Sequence, residues 1–224
     1  MFSLPQTHKT QLLELDGVTH MVVERFSKIY EKNGAPDFAY WVESGLVKIS
    51  VTGHDRKEIV LRVIPAGGLF GVVGVLQGSQ RTGDAVALTR TSIIAVPRAA
   101  FLEYCDRHPE FWIYLTKSMA QQQRALQERI QLLVLHDVHY RLVSSLLQLS
   151  ELCGPDEPGS AMHSVPLSQE DIAVVIGATR ETTSNKLNLL AKRRLVLLGR
   201  RRVAIPSLEK LRDALNGPGP ESPA

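Results

Sequence analysis

Cysteine is scarce. Only Cys105 and Cys153 occur among 224 residues, and they lie far apart in the chain. Two such thiols argue against a disulfide framework, a four-thiolate zinc site or an iron–sulfur cluster held within one chain. Long hydrophobic runs are missing as well. No stretch approaches the ~18 uncharged apolar residues of a membrane span, so none is expected. Met1–Thr10 is polar and has no apolar core segment, so it does not read as a secretory signal, and a cytoplasmic protein is expected. There is no Walker phosphate loop, no Gly-x-Ser-x-Gly elbow and no His-Glu-x-x-His pair. His54, Asp55, Glu58 and Arg81 are polar, but nothing in their spacing fixes them around a substrate, and an enzyme is not expected. The seven histidines show no diagnostic ligand spacing, and no metal site is expected.

Apolar residues at 44% and charged residues at 22% make an ordinary composition, enough for one large or two modest domains. The charge is unevenly placed. Residues 1–163 carry sixteen basic and seventeen acidic side chains, whereas residues 164–224 carry ten basic and six acidic. A basic excess confined to the last quarter points to a polyanion, most simply nucleic acid; a solvated basic face is the plainer alternative.

Three zones follow one another. Residues 18–100 hold short apolar runs such as Phe38–Val42, Leu46–Val51, Glu58–Ile64 and Thr91–Val96, separated by Ser44-Gly45, Thr52–Asp55 and Pro65–Gly68. Strand-length runs with turns at this spacing predict a sandwich or barrel. Glu58–Ile64 is too apolar for strict alternation, which leaves its inward face open. Residues 110–137 then change period. Leu115, Met119, Gln122, Leu126, Ile130 and Leu133 recur every three or four residues after Pro109, predicting one long helix. Its strip needs cover, from a second helix across a dimer interface or from the β domain itself. His136-Asp137 ends this run, and a second helix is predicted across Tyr140–Leu152. Residues 153–166, rich in Gly and Pro, read as a loop or linker, and residues 216–224 as a disordered tail.

The last zone reads as a helix–turn–helix with a wing. Ser168 and Asp171 have capping-box spacing ahead of a helix over Gln169–Ile176. Gly177-Ala178-Thr179 is a tight connection in which Gly177 takes the positive φ that ends one helix and Thr179 caps the next, Arg180–Ala191. The second helix is then the recognition helix. Arg180, Glu181, Ser184 and Asn185 are the candidate base readers: Arg pairs with guanine, Glu accepts from cytosine, and Asn pairs with adenine. Ser168, Thr179, Thr182, Lys186, Arg200, Arg201 and Arg202 are candidate phosphate contacts, the three arginines lying at the turn of a hairpin formed by Leu195–Leu198 and Val203–Pro206.

The string from Leu167-Ser-Gln-Glu-Asp-Ile-Ala through Ile176-Gly-Ala-Thr-Arg-Glu-Thr182 resembles the cyclic-AMP receptor protein and fumarate–nitrate reduction regulator superfamily. Ser44-Gly-Leu-Val-Lys-Ile49, Pro65-Ala-Gly-Gly-Leu-Phe-Gly71, Arg98-Ala-Ala-Phe-Leu102 and His108-Pro109 extend the resemblance over roughly residues 20–215. It implies an α+β chain: an N-terminal cyclic-nucleotide-binding-like β roll (1–109), a long central dimerisation helix (110–137), a second helix and linker (138–166) and a C-terminal winged helix–turn–helix (167–215). It further implies a homodimeric transcription regulator on palindromic promoter sites, with double-stranded DNA, a second copy of the chain and RNA polymerase as partners.

Two departures from the family pattern bear on function. In the nucleotide-binding members the Phe-Gly pair precedes a Glu that holds the ribose; here Phe70-Gly71 precedes Val72. The phosphate-binding Arg matches Arg81, followed by Thr82-Gly83 where Ser-Ala is usual. Phe70, Gly71, Val72, Arg81 and Thr82 therefore mark the candidate effector pocket, but weak or absent cyclic-AMP binding is expected, and Arg81 has the alternative role of satisfying a local turn. No cofactor is assigned, and ligand-independent activity stays open. Asn185 stands where the family commonly has an Arg reading an inner guanine, so a different inner base preference is expected. Iron–sulfur members carry an N-terminal cysteine set that is missing here, and a thiol sensor on Cys105 or Cys153 is a lesser alternative. The competing function is a cyclic-nucleotide-binding signalling module with weak or lost DNA binding.

Overall fold

The computed structural model describes residues 6–215, and the tail read at 216–224 lies outside them. The chain folds as two compact units divided between Glu128 and Arg129, inside a helix.

The first unit begins with helix α1 (Gln6–Leu13) and strands β1 (Thr19–Val23), β2 (Lys28–Tyr30), β3 (Phe38–Ser44), β4 (Leu46–Thr52), β5 (Glu58–Pro65) and β6 (Leu69–Phe70). Helix α2 (Val72–Gln77), strands β7 (Asp84–Ala87) and β8 (Thr91–Pro97) and helix α3 (Arg98–Arg107) follow, then the long helix α4 (Pro109–Leu135). The strands form two antiparallel four-stranded sheets, ordered β1-β8-β3-β6 and β2-β7-β4-β5.

Successive side chains of a strand point to opposite faces. In β3, Tyr40 and Val42 enter a core with Val47, Phe70, Ala85 and Ile93, while Ala39 and Trp41 enter a second core with Phe101, Tyr104, Phe111 and Leu115. β8 divides likewise, with Ile93 and Ala95 in one core and Ile94 and Val96 in the other. Both strands are covered on two sides, which is why their sequences are continuous apolar runs rather than alternating ones. The ambiguity of β5 has a different cause. Its register against β4 jumps from Ile49↔Arg62 to Ser50↔Val60, a bulge that leaves Leu61 unpaired and interrupts the alternation.

The second unit takes the end of α4 and continues with α5 (Val138–Cys153), β9 (His163–Val165), α6 (Gln169–Ile176), α7 (Arg180–Lys192), β10 (Leu197–Gly199), β11 (Arg202–Ile205) and α8 (Leu208–Asp213). Asp137 caps α5 by accepting from the Tyr140 backbone N–H at 2.8 Å. Helix α5 lies against α6, α7, α8 and β9, burying Leu142, Val143, Leu146 and Leu149. The segment read as a linker is in part structural. Its residues His163–Val165 pair with Val203–Ile205, making the wing a three-stranded sheet ordered β10-β11-β9. Three residues are too few to carry a readable period.

Phe101 and Phe111 are wholly buried and meet edge-on with ring centroids 5.9 Å apart. Replacing Phe101 by Ala opens a large cavity where the helices meet the sheet. It should cost about 3–5 kcal/mol in denaturant unfolding of the first unit.

Candidate nucleic-acid interface and effector cavity

The DNA-reading unit is fastened by local hydrogen bonds. Ser168 Oγ accepts from the Asp171 backbone N–H at 3.2 Å, and the Asp171 carboxylate accepts from the Ser168 backbone N–H at 2.7 Å and from its hydroxyl at 2.5 Å. Gly177 ends α6 at φ +67°, in the left-handed region that favours glycine. A Cβ there would also come within 3.3 Å of Leu133 Cδ2. Thr179 starts α7 by accepting from the Thr182 N–H at 3.2 Å, and its hydroxyl donates to Thr182 Oγ1 at 2.8 Å. Thr183 is buried and donates to the Thr179 carbonyl at 2.8 Å.

Two arginines hold this turn from behind. Arg129 donates to the Val175 carbonyl, and Arg141 to that of Gly177 at 3.4 Å. Cations on the last carbonyls of α6 complement its dipole. Burial and repulsion from Arg141 hold the Arg129 guanidinium down at about 10.

Helix α7 buries Thr183, Leu187 and Leu190 and exposes Arg180, Glu181 and Asn185, with Ser184 and Lys186 half-buried. Asn188 and Lys192 are exposed further along the helix, beyond its first turns. On the wing, Arg200 and Arg201 are exposed at the tip, and Arg201 holds φ +57°. Arg202 is differently placed. It donates to Asp156 Oδ2 at 2.6 Å and to Ser164 Oγ at 2.7 Å, tying the wing to the segment before β9. That ion pair joins residues far apart in sequence and left no local signal.

In the first unit, the residues of the candidate pocket do come together. Phe70, Gly71, Val72, Arg81 and Thr82 line a cavity of about 100 Å³, joined by Tyr30, Arg62, Ser118, Met119 and Gln122. Arg81 is buried and turned onto the backbone: Nη1 donates to the Gly71 carbonyl at 2.6 Å and Nη2 to that of Phe38 at 2.5 Å. Its guanidinium lies 4.4 Å from the Tyr30 ring centroid. Burial pushes the Tyr30 phenol up to about 12, against the opposing pull of Arg81 and Arg62. Gly71 sits at φ +75°, and a Cβ on it would meet Arg81 Nη1 at 2.9 Å. Val72, where a ribose-binding Glu would stand, is buried in the core against the helices.

The expected helix strip divides between two environments. Leu115 is buried in its own unit's core and Met119 packs against that core. Gln122 faces the cavity, accepting from Arg62 Nη1 at 2.6 Å and donating to Ser118 Oγ at 3.2 Å. These three are covered from within the chain. Leu126 and Ile130 are exposed, as are Trp112 and Val134, and Leu133 is half-buried near Gly177.

Residues 21–108 match the cyclic nucleotide-binding domain model and residues 140–214 the Crp-like helix-turn-helix domain model. The chain belongs to the cyclic-AMP receptor protein and fumarate–nitrate reduction regulator superfamily. Its superfamily relatives include a CRP-like cAMP-activated global transcriptional regulator of Mycobacterium tuberculosis, 28% identical over 183 residues, 82% of each chain. The global nitrogen regulator of Synechococcus elongatus is 27% identical, over 81% of this chain and 83% of its own. In fold it resembles FixK2 from Bradyrhizobium japonicum, with a TM-score of 0.78 at 21% identity, covering 88% of this chain and 96% of that one. A CRP/FNR-family transcriptional regulator from Thermus thermophilus gives 0.71 at 24% identity, over 90% and 100%. The superfamily's architecture of β roll, central helix and C-terminal helix–turn–helix is therefore that of this chain, and its relatives are transcription regulators.

The reciprocal cap is the most local support of the DNA-reading unit. Asp171→Ala removes an acceptor for two donors of Ser168. It should destabilise the second unit by about 1–2 kcal/mol, read as a lowered Tm, with Asp171→Asn retaining part of the loss.

Proposed function

We propose that the protein is a homodimeric transcription regulator that reads palindromic DNA through α7. One observation carries this reading: a helix capped by Thr179 displays Arg180, Glu181 and Asn185 to solvent, alongside a wing tipped by Arg200 and Arg201. Arg180 and Glu181 lie on the opening turn, the part of a recognition helix that reaches base edges. Arg200 and Arg201 act as phosphate anchors. Ser168, Thr179 and Thr182 approach phosphate from helix N-termini, where backbone N–H groups face anions, and Lys186 adds charge nearby. Arg202 positions the wing through Asp156 rather than contacting phosphate freely. Asn185 favours adenine over guanine at the inner base.

The dimer face is the exposed side of α4: Leu126, Ile130 and Val134 recur every fourth residue, and Trp112 lies two heptads before Leu126, as on a helix–helix seam. Two copies joined there present α7 twice, for half-sites about 34–36 Å apart. RNA polymerase is the further partner, in the cytoplasm. No helix among the described residues is long and apolar enough to cross a membrane.

Selection of bound sequences from random DNA, followed by titration of single-base variants at two salt concentrations, tests this reading. Arg180→Ala should lose about 1–3 kcal/mol at one base pair and relax preference there. Arg201→Ala should weaken all sequences alike and lower the salt slope by about one. Arg202→Ala should leave that slope nearly unchanged, because its charge is already paired. Asn185→Arg should move the inner preference to guanine. Uniform weakening by Arg180→Ala, with altered base preference in Arg201→Ala, would reverse the assignment.

Sedimentation velocity at micromolar concentration should show a dimer. Ile130→Asp, which places an unpaired charge in the seam, should yield a folded monomer. A monomeric wild type, or a dimer unaffected by Ile130→Asp, excludes the interface.

A further inference from the structure

We propose that the cavity bounded by Arg62, Thr82, Ser118 and Gln122 takes a small oxyanion, anchored by Arg62, and that the anion displaces Gln122 of α4. This rests on the reading of the first unit as the effector domain of a regulator. The residues lining the cavity include two guanidiniums and no carboxylate. Arg81 is engaged by two main-chain carbonyls. Arg62, on β5, donates only to Gln122 Oε1, and no acidic group among the described residues pairs with it. Burial lowers its proton affinity, opposed only by the nearby Tyr30.

Arg62 is half-buried; partial desolvation of a cation without a counter-charge is costly, and an anion relieves the cost. The hydroxyls of Ser118 and Thr82 provide donors beside it, and Leu69, Val73, Leu115 and Met119 provide apolar wall. Size restricts the anion. An engineered cavity of ~150 Å³ holds benzene, whereas drug-sized ligands occupy roughly 300–1,000 Å³. A space of about 100 Å³ suits phosphate or a three-carbon carboxylate rather than a nucleotide. Gln122 is the natural group to yield, because its carbonyl oxygen is a neutral acceptor occupying the place a carboxylate or phosphate oxygen would fill more strongly.

Thermal unfolding of the full chain tests this, with sodium phosphate, sodium pyruvate and cyclic AMP as probes at ionic strength matched with sodium chloride. Phosphate or pyruvate should raise the Tm in a saturable way, the more effective one identifying the oxyanion, and cyclic AMP should be inert. Arg62→Met should weaken the apparent affinity roughly ten- to hundredfold, the loss of a charge-assisted contact. Gln122→Glu supplies the missing carboxylate from the protein. It should raise the Tm without any probe and abolish the response. Silence of both small anions, stabilisation by cyclic AMP alone, or a response that survives in both variants overturns the proposal. These readouts contain no DNA, so their failure leaves the DNA-reading assignment standing, and failure of base selection leaves the anion measurement standing.

Discussion

The first unit is organised around one guanidinium. Arg81 joins the carbonyl of Phe38, at the start of β3, to that of Gly71, just before α2. The Gly71 carbonyl also accepts the Val75 backbone N–H at 3.4 Å, so the arginine adds a charge-assisted donor to an oxygen at the start of α2. The close approach requires residue 71 to lack a side chain, and the chain meets this with a glycine already in the left-handed conformation that begins α2. Tyr30 and Tyr40 lie 4.4 and 5.7 Å from the cation, replacing water with aromatic faces. An incoming phosphate would compete with two charge-assisted bonds, and Val72 offers nothing to a ribose in return. The same Arg81 that resembles a phosphate ligand in sequence lines the cavity and is bonded to two main-chain carbonyls.

Local chemistry made the DNA-reading unit legible. The Ser168–Asp171 box, the positive φ of Gly177 and the Thr179 cap each act within three residues, so their spacing is visible in the string itself. The wing was only half legible for the converse reason. β9 has three residues, and its partner β11 lies nearly forty positions later. The Arg202–Asp156 pair likewise joins positions 46 apart. A run of three arginines at a turn reads as one phosphate-binding patch until their partners are known, and one of the three then proves to be occupied.

The central helix shows what periodicity does and does not determine. Leu115, Met119, Leu126 and Ile130 fit one period, and the helix exists as that period requires. Period says that a face is apolar; it does not name what covers it. Near its start the helix passes over the β roll, where Leu115 joins Trp41 and Phe101 in a shared core. Farther along, the exposed members are Leu126, Ile130 and Val134, joined at the beginning by Trp112. The strip therefore contains two stretches along the helix, one closed by the chain and one left open. Gln122 ends the covered stretch, and its amide is bonded to Arg62 and Ser118.

That position gives the polar residue its importance. A glutamine in an otherwise apolar strip suggests a compromise at an interface, but here it is the neutral acceptor for a half-buried cation. The same continuous helix that supplies Gln122 to the cavity supplies Arg129 to the carbonyl of Val175, two turns later and just before the helix–turn–helix connection. A ligand influences such a chain only through a difference in affinity between two of its states. The Arg62–Gln122 bond defines such a difference, because one state presents the cation with an amide oxygen and the other leaves it for an anion. Regulation in this protein would then turn on which oxygen Arg62 holds.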